Sequence, residues 1–133
     1  MACSGIVLVV DDDVEIRETV SALLQHEGYT VIRAENGRQA LDQLALVHPN
    51  CVLLDLMMPV MSGWEVLEEI QENAELSKIP IVVVSAMCAP GAKACLQKPV
   101  DLDELLDVVD RCCCGREIPA IPQPAPAERY SVG

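Results

Sequence analysis

Apolar residues along this chain follow two alternating periods. Unbroken runs at Ile6-Val7-Leu8-Val9-Val10, Cys51-Val52-Leu53-Leu54, Ile81-Val82-Val83-Val84 and Ala94-Cys95-Leu96-Gln97, with a shorter Val31-Ile32, predict strands buried on both sides. Between them the spacing becomes helical. Ile16, Val20, Leu23 and Leu24 mark one face of a first helix, which Gly28 closes as a C-terminal cap. Ala40, Leu41, Leu44 and Val47 mark a second helix, and Val66, Leu67 and Ile70 a third. Leu102, Leu105, Leu106 and Val109 mark a last one, with Asp101 as its N-cap. Alternation of strand and helix predicts an α/β fold, a parallel sheet with helices on both faces joined by right-handed crossovers. From Ile118 onward Pro119, Pro122, Pro124 and Pro126 predict an extended, disordered appendix. The expected division is therefore a domain over 1–114 and a Pro-rich tail over 115–133.

The residues that end the runs carry the chemistry. The first run stops at Asp11-Asp12-Asp13, the one from Cys51 at Asp55, the one from Ile81 at Ser85, and the one from Ala94 at Lys98-Pro99. In a parallel sheet these C-terminal ends lie at one edge, where open α/β sheets place their ligands. Three carboxylates, a hydroxyl and an ammonium would then share one pocket, as an acidic phosphoryl-transfer site requires. Asp13 reads as a helix cap. That reading leaves the adjacent pair Asp11 and Asp12 unexplained, so these two read as metal ligands.

Composition narrows the class. With 133 residues and 51% hydrophobic content the chain can bury one core and has little room for a second. A net charge of -12 argues against direct nucleic-acid binding and against attraction to an anionic membrane. No apolar run approaches the roughly 18 residues of a spanning helix, and the N-terminus has no signal-peptide pattern, so a cytoplasmic location is expected. The seven cysteines form no C-x-x-C pair and lie far from His26 and His48. They read as buried small hydrophobes in a reducing compartment rather than as a zinc site. The run Cys112-Cys113-Cys114 falls in the last turn of the last helix, where surface thiols can oxidise or cross-link chains.

Taken together, Val9-Val10-Asp11-Asp12-Asp13, Leu54-Asp55-Leu56-Met57-Met58-Pro59-Val60-Met61-Ser62-Gly63, Val84-Ser85-Ala86, and Gly91-Ala92 leading to Lys98-Pro99 resemble the receiver domain of two-component response regulators. The resemblance runs from about residue 5 to residue 112. It implies a flavodoxin-like, five-stranded sheet of order 2-1-3-4-5 and a bacterial phosphorelay switch. Asp55 would accept a phosphoryl group from the phosphohistidine of a sensor histidine kinase or histidine phosphotransfer protein. Mg²⁺, or Mn²⁺ in its place, would be held by Asp12 directly, by Asp11 through water, by Asp55, and by the backbone carbonyl of Met57. Lys98 would pair with phosphoryl oxygens as a point charge and Ser85 would hydrogen-bond another. The chain would be no enzyme beyond self-phosphorylation and autodephosphorylation. The latter is expected to be slow, because Met57 and Met87 offer nothing strong to hold a hydrolytic water. No helix-turn-helix or catalytic output segment is present in the sequence. The signal would pass by contact to a downstream protein that the sequence does not identify, with no direct nucleic acid or membrane partner.

Two other readings compete. A degenerate receiver would act only as an interaction module. A phosphatase of the haloacid dehalogenase type would open on Asp11-x-Asp13 and leave Asp55 idle. Two departures from the family pattern bear on output. Cys95 stands where an aromatic residue usually precedes the lysine, and the chain has no phenylalanine. Between Ser85-Ala86 and Gly91-Ala92 lie only the four residues Met87 to Pro90, where the family has a helix. A crossover normally takes a dozen residues or more. A missing or minimal fourth helix is expected, with Met87–Ala92 extended over an apolar patch that a partner, a second copy or the tail would complete.

Overall fold

The computed structural model describes residues 5–56, 58, 60–85, 94–97 and 101–113. The two apolar periods become β1 (Ile6–Val10), α1 (Val14–His26), β2 (Thr30–Ala34), α2 (Gly37–Leu46), β3 (Cys51–Asp55), α3 (Gly63–Glu72), a 3₁₀ turn (Leu76–Lys78), β4 (Ile81–Ser85), β5 (Ala94–Gln97) and α4 (Leu102–Cys113). All strand pairs are parallel and the order is β2-β1-β3-β4-β5, as expected.

Successive strand residues point to opposite faces, so the continuous apolar runs feed two cores at once. On one face Leu8, Val10, Leu54 and Val83 pack with Ala40 and Leu44 of α2 and with Val66, Leu67 and Ile70 of α3. On the other, Val7, Val9, Leu53 and Val84 pack with Val20 and Leu24 of α1 and with Leu105, Val108 and Val109 of α4. Burying a Val or Leu side chain fully contributes roughly 1.5–3 kcal/mol. The central strand β3 and its neighbour β4 are buried at all five positions, so both are firmly anchored.

Local signals fix where the helices start and stop. Asp13 caps α1 by accepting from the Glu15 and Ile16 amides, and Gly28 follows its end in the left-handed region at φ 101°, where a side chain would be strained. Asn36 caps α2, and the Asp101 carboxylate caps α4 by accepting from Asp103 and Glu104. Ser62 and Glu65 form a reciprocal capping box on α3. Helix α2 stops one residue short of the apolar pattern: Val47 is its extended C-cap. The 3₁₀ turn carries no periodicity, and the Asn73 side chain organises the approach to it by accepting from the Glu75 and Leu76 amides.

β4 and β5 pair in parallel from Val82↔Ala94 to Ser85↔Gln97. The segment 86–93 that joins them lies outside the described residues, as does the tail. The expected loss of a fourth helix, the exposed patch and the 115–133 boundary all fall there. The cysteine expectation needs one correction. Cys51 and Cys95 are buried, but Cys95 is disulfide-bonded rather than a free thiol. β5 is an edge strand of the described sheet. Among the described residues no helix is long and apolar enough to cross a membrane.

Candidate metal centre

Parallel register brings the strand ends together. Val10 pairs with Leu54, and the next residues are Asp11, just past β1, and Asp55, the last of β3. Asp11 continues the ladder by donating its amide to the Ala34 carbonyl at 3.1 Å. Its carboxylate accepts the Asp13 amide at 2.9 Å, a local turn that fixes the side chain. Asp11 and Asp55 are buried, whereas Asp12 is exposed at the mouth. One carboxylate oxygen from each of Asp11, Asp12 and Asp55 lies within 4.8 Å of the other two.

Like charges at such spacing repel by about 3 kcal/mol per pair at an effective dielectric of about 20. Burial of two of the three limits relief by solvent. A small divalent cation relieves it directly. The donors are all hard oxygens, which suits Mg²⁺ or Mn²⁺ and not a soft metal. Asp13 stays out of the cluster, its carboxylate engaged as the α1 cap, as the sequence suggested. Ser85 is buried at the end of β4, one residue beyond Val84, the partner of Asp55. The hydroxyl thus belongs to the same edge. Lys98 and Met57, the remaining expected site residues, lie outside the described residues.

Three features were not foreseen. Arg17, one turn into α1, donates from its guanidinium to the Asp11 backbone carbonyl at 2.8 Å and so braces the strand end. No sequence pattern marks this reach of six residues. Gly63 is the second: a side chain there would strike the Asp55 carbonyl oxygen and come within 2.6 Å of the Leu56 Cα. Its amide donates to the Leu56 carbonyl at 3.0 Å, so the first residue of α3 rests on the tip of β3. The position after the Ser62 cap was the available signal. Third, Val60 in the intervening loop has φ 68°, a left-handed conformation that a β-branched residue strongly disfavours.

The sequence and the fold have known counterparts. The sequence pattern described as the response regulator receiver domain matches residues 7–110. The response regulator MprA of Mycolicibacterium vanbaalenii is 38% identical over 109 residues, covering 75% of this chain and 46% of MprA. Protein PilH of Pseudomonas aeruginosa is 30% identical over 118 residues, covering 82% of this chain and 98% of PilH. The solved structure of the chemotaxis protein CheY4 of Vibrio cholerae is similar with a TM-score of 0.75 at 31% identity, over 83% of this chain and 99% of CheY4. The chain spans less than half the length of several curated relatives.

Proposed function

This chain belongs to the response regulator receiver domain family, a class of signalling switch, and on that premise we propose that Asp55 is its phosphoacceptor and that Asp11, Asp12 and Asp55 hold Mg²⁺, or Mn²⁺ in its place. The observation that carries this reading is the cluster of three carboxylates at the sheet edge, with Asp55 at the tip of the central strand. An Asp55 carboxylate oxygen attacks the phosphorus of a phosphohistidine on a sensor histidine kinase or histidine phosphotransfer protein. A P–O bond forms, the P–N bond breaks, and its electron pair returns to the imidazole. A cation held by these carboxylates would supply charge neutralisation for the transferred group. Ser85 would donate its hydroxyl to one phosphoryl oxygen and Lys98 would pair with another; the Met57 backbone carbonyl would be a further ligand to the cation. Positioning and charge stabilisation do nearly all the work, and no turnover of an external substrate follows.

The same reading takes residues 1–114 as the receiver and 115–133 as a tail, in the cytoplasm, acting on a downstream protein by contact. The phosphatase alternative loses its footing, because the Asp13 carboxylate it would need is engaged in capping α1.

Intact mass after incubation with Mg²⁺ and acetyl phosphate tests the proposal. One acid-labile phosphate on the wild-type chain and none on Asp55→Asn is the expected result. A label on Asp11, or none on any residue, overturns it.

A further inference from the structure

Three thiols and a phenol gather at the sheet edge opposite the carboxylates. Cys51 opens β3, four strand steps or about 13 Å from Asp55, and is wholly buried. Cys112 and Cys113, in the last turn of α4, pack half-buried against the core that Cys51 helps to form. The Cys51 and Cys112 side chains are hydrogen-bonded to each other. Tyr29, just before β2, is buried and donates its hydroxyl to Asp110 at 3.3 Å, holding the same turn of α4. This hydrogen bond to Cys112, and then burial, push the Cys51 thiol up, while burial pushes Cys113 up to about 11. Both therefore stay protonated near neutral pH and inert towards solvent reagents. Cys112 and Cys113 project about 100° apart around the helix, so they are poorly placed to bond each other.

We propose that Cys51 and Cys112 are a redox pair that closes to a disulfide and staples the last helix to the central strand. The oxidant is a small-molecule disulfide. The half-exposed Cys112 sulfur attacks it, forming a mixed disulfide and releasing one small thiol. The Cys51 sulfur, already in contact, then attacks the Cys112 sulfur and the second small thiol leaves. Two cysteine S–H bonds are lost and one S–S bond forms, and the small disulfide takes up two electrons and two protons. Helix ends open readily, which gives the reagent its access without global unfolding. The pair lies away from the carboxylate cluster, so its closure does not depend on Asp55 chemistry.

The test treats the full-length chain, with Cys95 disulfide-bonded and Cys51, Cys112 and Cys113 free, with oxidised glutathione at neutral pH, followed by digestion without reduction, peptide mapping and a melting curve. A Cys51–Cys112 linked peptide and a melting temperature raised by about 5 °C or more are expected. Cys113→Ser keeps both and Cys112→Ser loses both. Cys51→Ala, whose melting point is first read before the glutathione treatment, gains nothing from it. The Cys95 disulfide is common to all variants and cancels in the comparison. Cys51 remaining free while Cys112 carries glutathione or joins a neighbouring cysteine overturns the proposal. So does a cross-link between two chains, or a linked peptide without any rise in melting temperature.

Discussion

Asp12 differs from its two neighbours in the cluster by facing water, and that difference sets what its removal does. Asp12→Asn keeps the shape and removes one charge. Mg²⁺ affinity measured by calorimetry is expected to fall by about tenfold or more, since even outer-shell changes commonly cost 10–100-fold. Without metal the same variant is expected to be more stable by about 1 kcal/mol, because two repulsions are relieved in a partly solvated setting. Unchanged affinity would remove Asp12 from the ligand set. Val60 invites a different experiment. A left-handed conformation costs about 1–3 kcal/mol in a side chain ill suited to it, against roughly 0.5–1 kcal/mol for the extra freedom of glycine in the unfolded chain. Its side chain is 81% exposed, so little packing is lost. Val60→Gly is expected to raise the urea midpoint, with unchanged slope, by about 1 kcal/mol in stability. A lower midpoint would show that the loop holds no such strain.

At the scale of elements, the strand ends hold the proposed site and the first residues of the helices hold those ends in place. Gly63 shows how tightly. Because a methyl group there meets backbone atoms of Asp55 and Leu56 and not the far end of a flexible side chain, the helix itself must shift. Gly63→Ala is expected to cost about 2–3 kcal/mol in stability and to slow acceptor phosphorylation several-fold, as judged by denaturation and by the rate of mass labelling. A variant as stable and as fast as wild type would show that α3 does not set the Asp55 position. The five strands and four helices of the described residues were legible because each buries a face whose period survives in the sequence. What escaped does not depend on a period. The 3₁₀ turn rests on one Asn73 side chain, the early end of α2 on extended backbone at Val47, and the Arg17 brace on a reach across space. The carboxylate cluster was readable because Asp11, Asp12 and Asp55 each follow a recognisable strand. The Cys95 disulfide was not, since pairing among seven cysteines is a matter of three-dimensional proximity.

For the molecule as a whole, a net charge of -12 and a buried acidic cluster make cation binding and stability one problem. A ligand that binds the folded state alone stabilises it by about 2.7 kcal/mol at a hundredfold excess over its dissociation constant. Mg²⁺ is therefore expected to raise the melting temperature well beyond Na⁺ at equal ionic strength, and Asp12→Asn to lose most of that increment. Equal shifts with both salts would mean general screening and no site. The central position of β3 has a further consequence for how the chain exchanges hydrogen with solvent. Strand β3 lies between β1 and β4 and is covered on both faces, so the amides of Leu53 and Leu54 can exchange with deuterium only when the whole domain opens. Asp12, two residues past β1 and exposed, exchanges at the pace of a surface loop. Asp55 sits where these two regimes meet, so the proposed acceptor is mounted on a slowly exchanging strand while its neighbour Asp12 faces water.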